Sequence, residues 1–105
     1  MSIELPEPIA AYFVGTNNHD TDAMLAPFAD GAIVKDEGQE RRGLAAIQEW
    51  LEETTRKYRP TVAVTDVAET AVTGRVSGNF PGSPINLRYA FTLAGGKIVR
   101  LEILS

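Results

Sequence analysis

The chain contains no cysteine. That excludes disulfides, thiolate zinc centres, iron–sulfur clusters and cysteine nucleophiles. It has a single histidine, His19, so a multi-histidine metal site is excluded and any Ser-His-Asp triad would depend on that one residue. Basic residues are few: 10 Lys and Arg stand against 14 Asp and Glu, for a formal charge of -4 and a pI of about 4.9. A domain of that sign lacks the basic field that a phosphate backbone requires, so no nucleic-acid partner is expected. Long apolar runs are missing too, and the first residues, Met1 to Pro6, hold no basic region leading into an apolar one. Neither a membrane span nor a signal peptide is expected, and the expected location is cytoplasmic.

What is present is ordinary globular material. Of 105 residues, 44% are hydrophobic, 23% charged and 8% aromatic, which argues against disorder. Area scaling for a chain of this size gives about 5,800 Å² folded against about 16,500 Å² unfolded, enough for one modest core and no second domain. Residues 1–105 therefore read as a single domain without repeats or low-complexity segments.

Helical signals fill the first half. Pro6 opens a helix on which Ile9, Tyr12, Phe13 and Thr16 share a face. Asn17 to Asp20 reads as a turn, with Asp20 a candidate N-cap for a short second helix carrying Met24, Leu25 and Phe28, distorted at its end by Pro27. Residues 32–37 read as a strand and 39–43 as a polar connection. The third helix is expected over 44–58, with Leu44, Ile47, Leu51 and Tyr58 on its buried face, Trp50 at its flank and Arg59-Pro60 as its stop.

From Pro60 onward the signal is strands. Residues 71–80 read as one, with Val72, Val76 and Phe80 in phase with Gly74 and Gly78. Residues 85–93 alternate strictly, with Ile85, Leu87, Tyr89, Phe91 and Leu93 on one face. Gly95-Gly96 turns into a last strand over 97–104, where Val99, Leu101 and Ile103 point one way and Arg100 and Glu102 the other. Helices followed by strands make an α+β class, a mostly antiparallel sheet curved round helices, an architecture that tends to enclose a cavity.

Asp36 is the most informative candidate. It shares a face with Ala32 and Val34, while Lys35 lies opposite. A carboxylate on an inner face is costly to desolvate, and a raised carboxylate facing a cavity suits a general base. Alternatively the strand ends at Lys35 and Asp36 is a solvated turn acid. Tyr12 either offers its hydroxyl to a ligand or bonds to backbone or Asp36 as a core tyrosine. Tyr89 is open to the same two readings, and Trp50 and Phe80 are cavity walls or core. His19 is expected to be a solvent-exposed turn residue. The charges Glu49, Glu52, Glu53, Arg56 and Lys57 read as a solvated helix face.

Three stretches carry a resemblance that spans nearly the whole chain. They are Tyr12 with Asp20-Thr21-Asp22-Ala23-Met24-Leu25-Ala26-Pro27-Phe28-Ala29-Asp30-Gly31-Ala32; Val34-Lys35-Asp36-Glu37-Gly38; and Arg42-Gly43-Leu44-Ala45-Ala46-Ile47. With these, and a C-terminal region 87–103 that suits the family's last hairpin, the chain resembles the NTF2-like superfamily, in its SnoaL-like polyketide cyclase and ketosteroid isomerase-like branch. The resemblance implies a cone: a strongly curved mixed sheet wrapped by three helices around a hydrophobic pocket, commonly in a homodimer. It puts Tyr12 on the oxyanion-binding tyrosine and Asp36 on the base of the ketosteroid isomerases. The late-strand acid of those enzymes does not carry over, because Tyr89 or a neighbour stands there. The cyclases place a base on a late strand, and no aspartate occurs between Asn79 and Ser105.

The reading that results is a cofactor-independent isomerase, cyclase or dehydratase that abstracts a proton next to a carbonyl of a small hydrophobic molecule, with no metal. Asp36 and Tyr12 are the candidate catalytic residues. Tyr89, Trp50, Phe80, Phe13, Phe28 and Leu87 are the candidate substrate-binding residues. The alternatives are a non-catalytic small-molecule-binding pocket and a dimerisation module with a filled cone, since one fold hosts many functions.

Overall fold

The computed structural model describes residues 4–104. In chain order the elements are α1 (Glu7–Asn17), α2 (Thr21–Leu25), β1 (Phe28–Asp36), β2 (Gln39–Arg42), α3 (Leu44–Tyr58), β3 (Thr61–Ala68), β4 (Ala71–Ser77), β5 (Ile85–Ala94) and β6 (Lys97–Leu104). The six strands form one open sheet in the order β2-β1-β6-β5-β4-β3. Every neighbouring pair is antiparallel except β1 with β6, which is parallel. This is the α+β class, a mixed and mostly antiparallel sheet with three helices.

The helix termini follow local chemistry. Pro6 precedes the first turn of α1, where its missing N–H leaves no donor unpaired. The Asp20 side chain accepts a hydrogen bond from the Ala23 N–H at 3.1 Å and caps α2. Arg59 adopts the left-handed region at φ 44° and its N–H closes α3 on the Thr55 carbonyl. The buried faces are Ile9, Tyr12, Phe13, Gly15 and Thr16 on α1 and Ile47, Trp50, Leu51 and Thr55 on α3.

Four expectations need correction. Phe28 opens β1 and does not belong to α2; Pro27 ends the helical stretch, and the Pro27 carbonyl accepts from the Ile98 N–H, so the chain joins the sheet at once. Residues 39–42, read as a polar connection, form β2, paired with β1 from Ile33↔Arg42 to Asp36↔Gln39. An edge strand of four polar side chains carries no hydrophobic periodicity to betray it. β4 stops at Ser77, short of Phe80. Finally, Ile98 and not Val99 enters the core, because the β5–β6 register slips by one residue between Thr92 and Leu93. Val99 is the extra residue of that bulge, which lets Ile98 and Leu101 both be fully buried although simple alternation would put them on opposite faces.

Similar irregularities lie in β1, between Phe28 and Ile33, and in β3, between Val64 and Asp66. Bulges bend and twist the strands that carry them. Between the sheet's inner face and α1 sits an aromatic cluster of Tyr12, Phe13, Phe28, Tyr89 and Phe91, most of its pairs edge-on with centroids 5.1–6.5 Å apart.

Candidate functional site

Strand register assembles the site. Asp36 on β1 pairs with Ile103 on β6, and Ile103 pairs with Tyr89 on β5. The three therefore lie in one row across adjacent strands, on the face that Val34, Leu101 and Phe91 share. Two strand spacings separate the backbones of Asp36 and Tyr89, roughly 10 Å. Ile103 floors the gap between them. Tyr12 comes down on the row from α1, with its ring 6.5 Å from that of Tyr89.

These residues line a cavity of about 430 Å³ between the sheet and the helices. That volume lies within the usual range for small-molecule sites. Thr54, Tyr58 and Phe80 contribute to its walls, with Val62, Val76 and Leu87 from the sheet. The Tyr58 and Phe80 rings meet edge-on at 6.1 Å.

Asp36 is half-buried, and the Trp50 indole N–H donates to its Oδ2 at 3.3 Å. Burial pushes the carboxyl above its ordinary value of 3.8; the Trp50 hydrogen bond pulls it back, the neighbouring Glu37 charge raises it and Arg41 lowers it. Tyr12 and Tyr89 are each 4% exposed. Burial raises the phenol of Tyr12 well above 10.0, helped by Tyr89 and Asp36, and that of Tyr89 rises for the same reason, with Asp36 adding to it. Both stay protonated at neutral pH and remain donors. Neither hydroxyl has a hydrogen-bond partner among the described residues, and neither is sealed from the cavity. The rings are buried and the hydroxyls open onto the cavity, so both donors are available to an occupant.

Of the residues singled out in the sequence, Asp36, Tyr12, Tyr89, Trp50, Phe80 and Leu87 line this one cavity. Phe13 and Phe28 do not. Phe13 lies with its ring 5.1 Å from that of Tyr89 and 5.3 Å from that of Tyr12, and Phe28 packs 5.9 Å from Tyr12, so both back the tyrosines from within the core. Trp50, equally readable as core or wall, does both: it is 6% exposed and holds the carboxylate. Tyr58, read only as a buried helix position, and Ile103, read only for its phase, are also at the cavity. No local signal marks them, because the walls come from separate elements.

His19 lies elsewhere and is not a solvent-exposed turn residue. It is half-buried at φ 52°, with Nδ1 3.2 Å from the Arg59 guanidinium. Among the described residues, no group of three or more His, Cys, Asp or Glu could hold a metal ion, and no helix is long and apolar enough to cross a membrane.

Residues 9–101 match the SnoaL-like domain family. The structure is similar to a candidate polyketide cyclase from Sinorhizobium meliloti, at 38% identity and a TM-score of 0.87, with 94% of each chain covered. It is also similar to SalBIII, an epoxide hydrolase/cyclase-like enzyme of pyran-ring formation in salinomycin, at 24% identity and a TM-score of 0.76, covering 93% of this chain and 87% of that one. A Catenulispora acidiphila protein with a ketosteroid isomerase-like fold superposes with a TM-score of 0.78 at 19% identity, over 97% of this chain and 87% of the other. No curated protein matches the sequence. With a family match over most of its length and the same open mixed sheet and three helices, the chain belongs to the SnoaL-like domain family, on the NTF2-like fold.

Proposed function

We propose that the cavity carries out a cofactor-independent proton transfer next to a carbonyl of a small hydrophobic molecule, in an isomerisation, cyclisation or dehydration. The observation that supports this reading best is the meeting of one carboxylate, Asp36, with the hydroxyls of Tyr12 and Tyr89, unpartnered among the described residues, on one cavity of about 430 Å³. Membership of the SnoaL-like domain family and the likeness to the Sinorhizobium meliloti protein support it independently.

In the proposed step, an Asp36 oxygen takes the proton from the carbon beside the carbonyl. That C–H bond breaks, an O–H bond forms on Asp36, and the electron pair moves to the carbonyl oxygen. The resulting enolate oxygen accepts hydrogen bonds from Tyr12 and Tyr89, donors already in place before charge develops. Trp50 holds Asp36 Oδ2 and so orients the carboxylate in the cavity. Return of that proton to a different carbon gives isomerisation. Attack of the enolate carbon on an internal carbonyl gives ring closure, the Asp36 proton passing to the new alkoxide oxygen. Expulsion of a hydroxyl from the next carbon, which takes the Asp36 proton and leaves as water, gives dehydration. Pairing of two copies into a homodimer belongs to the same proposal.

A cavity of this size disfavours the filled-cone reading, which calls for no ligand-sized void. Catalysis and simple binding are separated by deuterium exchange at the carbon beside the carbonyl of 2-tetralone, a reaction that needs no knowledge of the natural product. The protein is expected to accelerate exchange, and Asp36→Asn to abolish the acceleration while keeping the fold. Tyr12→Phe and Tyr89→Phe are each expected to slow it by about tenfold to a thousandfold, the range for loss of one donor to a developing oxyanion. Exchange by Asp36→Asn at the rate of the unaltered protein contradicts the assignment.

A further inference from the structure

No lysine, arginine or histidine is found among the described residues that line the cavity, whereas two of them are acids, Asp36 and Glu37. Five carry aromatic rings: Tyr12, Trp50, Tyr58, Phe80 and Tyr89. The nearby cations stand outside the wall. Arg41, opposite Val34 and so on the face of Asp36, is half-buried and its charge reaches the Asp36 carboxylate, but its guanidinium donates to Gln39 Oε1 at 3.0 Å and does not line the cavity. Lys35, on the opposite face of β1, pairs with Glu102 at 3.7 Å. Arg59 rests against His19. Lys57 is exposed, with its ammonium 5.6 Å from the centre of the Tyr58 ring.

This distribution bears on the class of substrate. A neutral carbonyl compound keeps the charge of the reacting groups constant: before transfer the negative charge sits on Asp36, afterwards on the enolate. An anionic substrate adds a further negative charge to a partly desolvated space whose wall holds two acids and no cation. A substrate with an ammonium group cancels the charge, and its cation also gains from aromatic faces. The two free hydroxyls can hydrogen-bond one oxygen of any occupant, but they bring no formal charge.

We infer that the cavity sorts its occupants by charge, rejecting anionic molecules and holding an ammonium-bearing molecule more tightly than a neutral one of the same shape. The inference uses the cavity of the proposed reaction and names the charge class of its substrate. Deuterium exchange on neutral 2-tetralone can succeed or fail independently of it.

Phenyltrimethylammonium, tert-butylbenzene and benzenesulfonate share an outline and differ in charge. Trp50 is the chain's only tryptophan and lines the cavity, so its emission reports occupancy in the intact protein. The cation is expected to bind about tenfold more tightly than the neutral probe, the size of a partly desolvated cation–π and carboxylate contact. Benzenesulfonate is expected to leave the emission unchanged. Asp36→Asn should cut most of the preference for the cation, and Glu37→Gln, a change at an exposed position, should reduce it less. Equal binding of cation and neutral probe, saturable binding of benzenesulfonate, or no response to any of the three would each overturn the inference.

Discussion

Asp36 is held against its own solvation. Burial favours its neutral form, while the Trp50 N–H and the Arg41 charge favour the ionised one, and burial is the largest of these influences. A carboxyl raised by folding contributes stability below its ordinary value of 3.8, and that contribution is lost as pH rises through the higher folded value. At neutral pH Asp36 therefore weakens the fold. Asp36→Asn keeps an acceptor for Trp50 and removes the charge, so thermal melts at pH 7 should show a higher midpoint than for the unaltered protein. The gain should shrink as the pH falls towards the ordinary carboxyl range; a lower midpoint at pH 7 would contradict a burial-dominated site. The inward face of Asp36 was legible from its phase with Ala32 and Val34. Its bond to Trp50 was not, because the two residues are 14 apart in sequence on different elements.

Elements are positioned by close approaches and side-chain ties. A Cβ added at Gly15 would lie 2.8 Å from the backbone nitrogen of Met24, so α1 meets α2 where only glycine fits. At the end of α1, the Asn17 side chain accepts from the Val62 N–H at 2.7 Å and donates to the Val62 carbonyl at 3.0 Å. This ties the helix that carries Tyr12 to β3. Gly15→Ala is expected to destabilise the protein by about 1–3 kcal/mol, the usual range for overpacking, because the obstacle is backbone. Urea denaturation measures this, and an unchanged midpoint would mean that α1 shifts freely on α2. The strict alternation of β5 and the cap of α2 were legible because each is set by local chemistry. The β6 bulge, the start of β1 and the whole of β2 were not, because sheet pairing decides them.

At the scale of the molecule, helices following the pattern of their apolar residues cover one face of an open six-stranded sheet, and the bulged strands leave a void between the layers. The class and its layering could be read from helical periodicity giving way to alternation. The void could not, since it depends on which large side chains meet: Phe13 and Phe28 fill the core while Tyr12 and Tyr89, edge-on to each other, border the cavity. The parallel β1–β6 pair is equally hidden, and it is this pairing that brings Asp36 into line with Tyr89. The central claim is that Asp36 shares a ligand-accessible cavity with two phenols. Its most direct test is the carboxyl titration of Asp36 by carbon-detected NMR, assigned with Asp36→Asn and repeated with 2-naphthol, a neutral mimic of the enol. The expected result is a midpoint above 3.8 that moves when 2-naphthol binds. A midpoint at the ordinary value that ignores 2-naphthol would put Asp36 in open water and contradict the account.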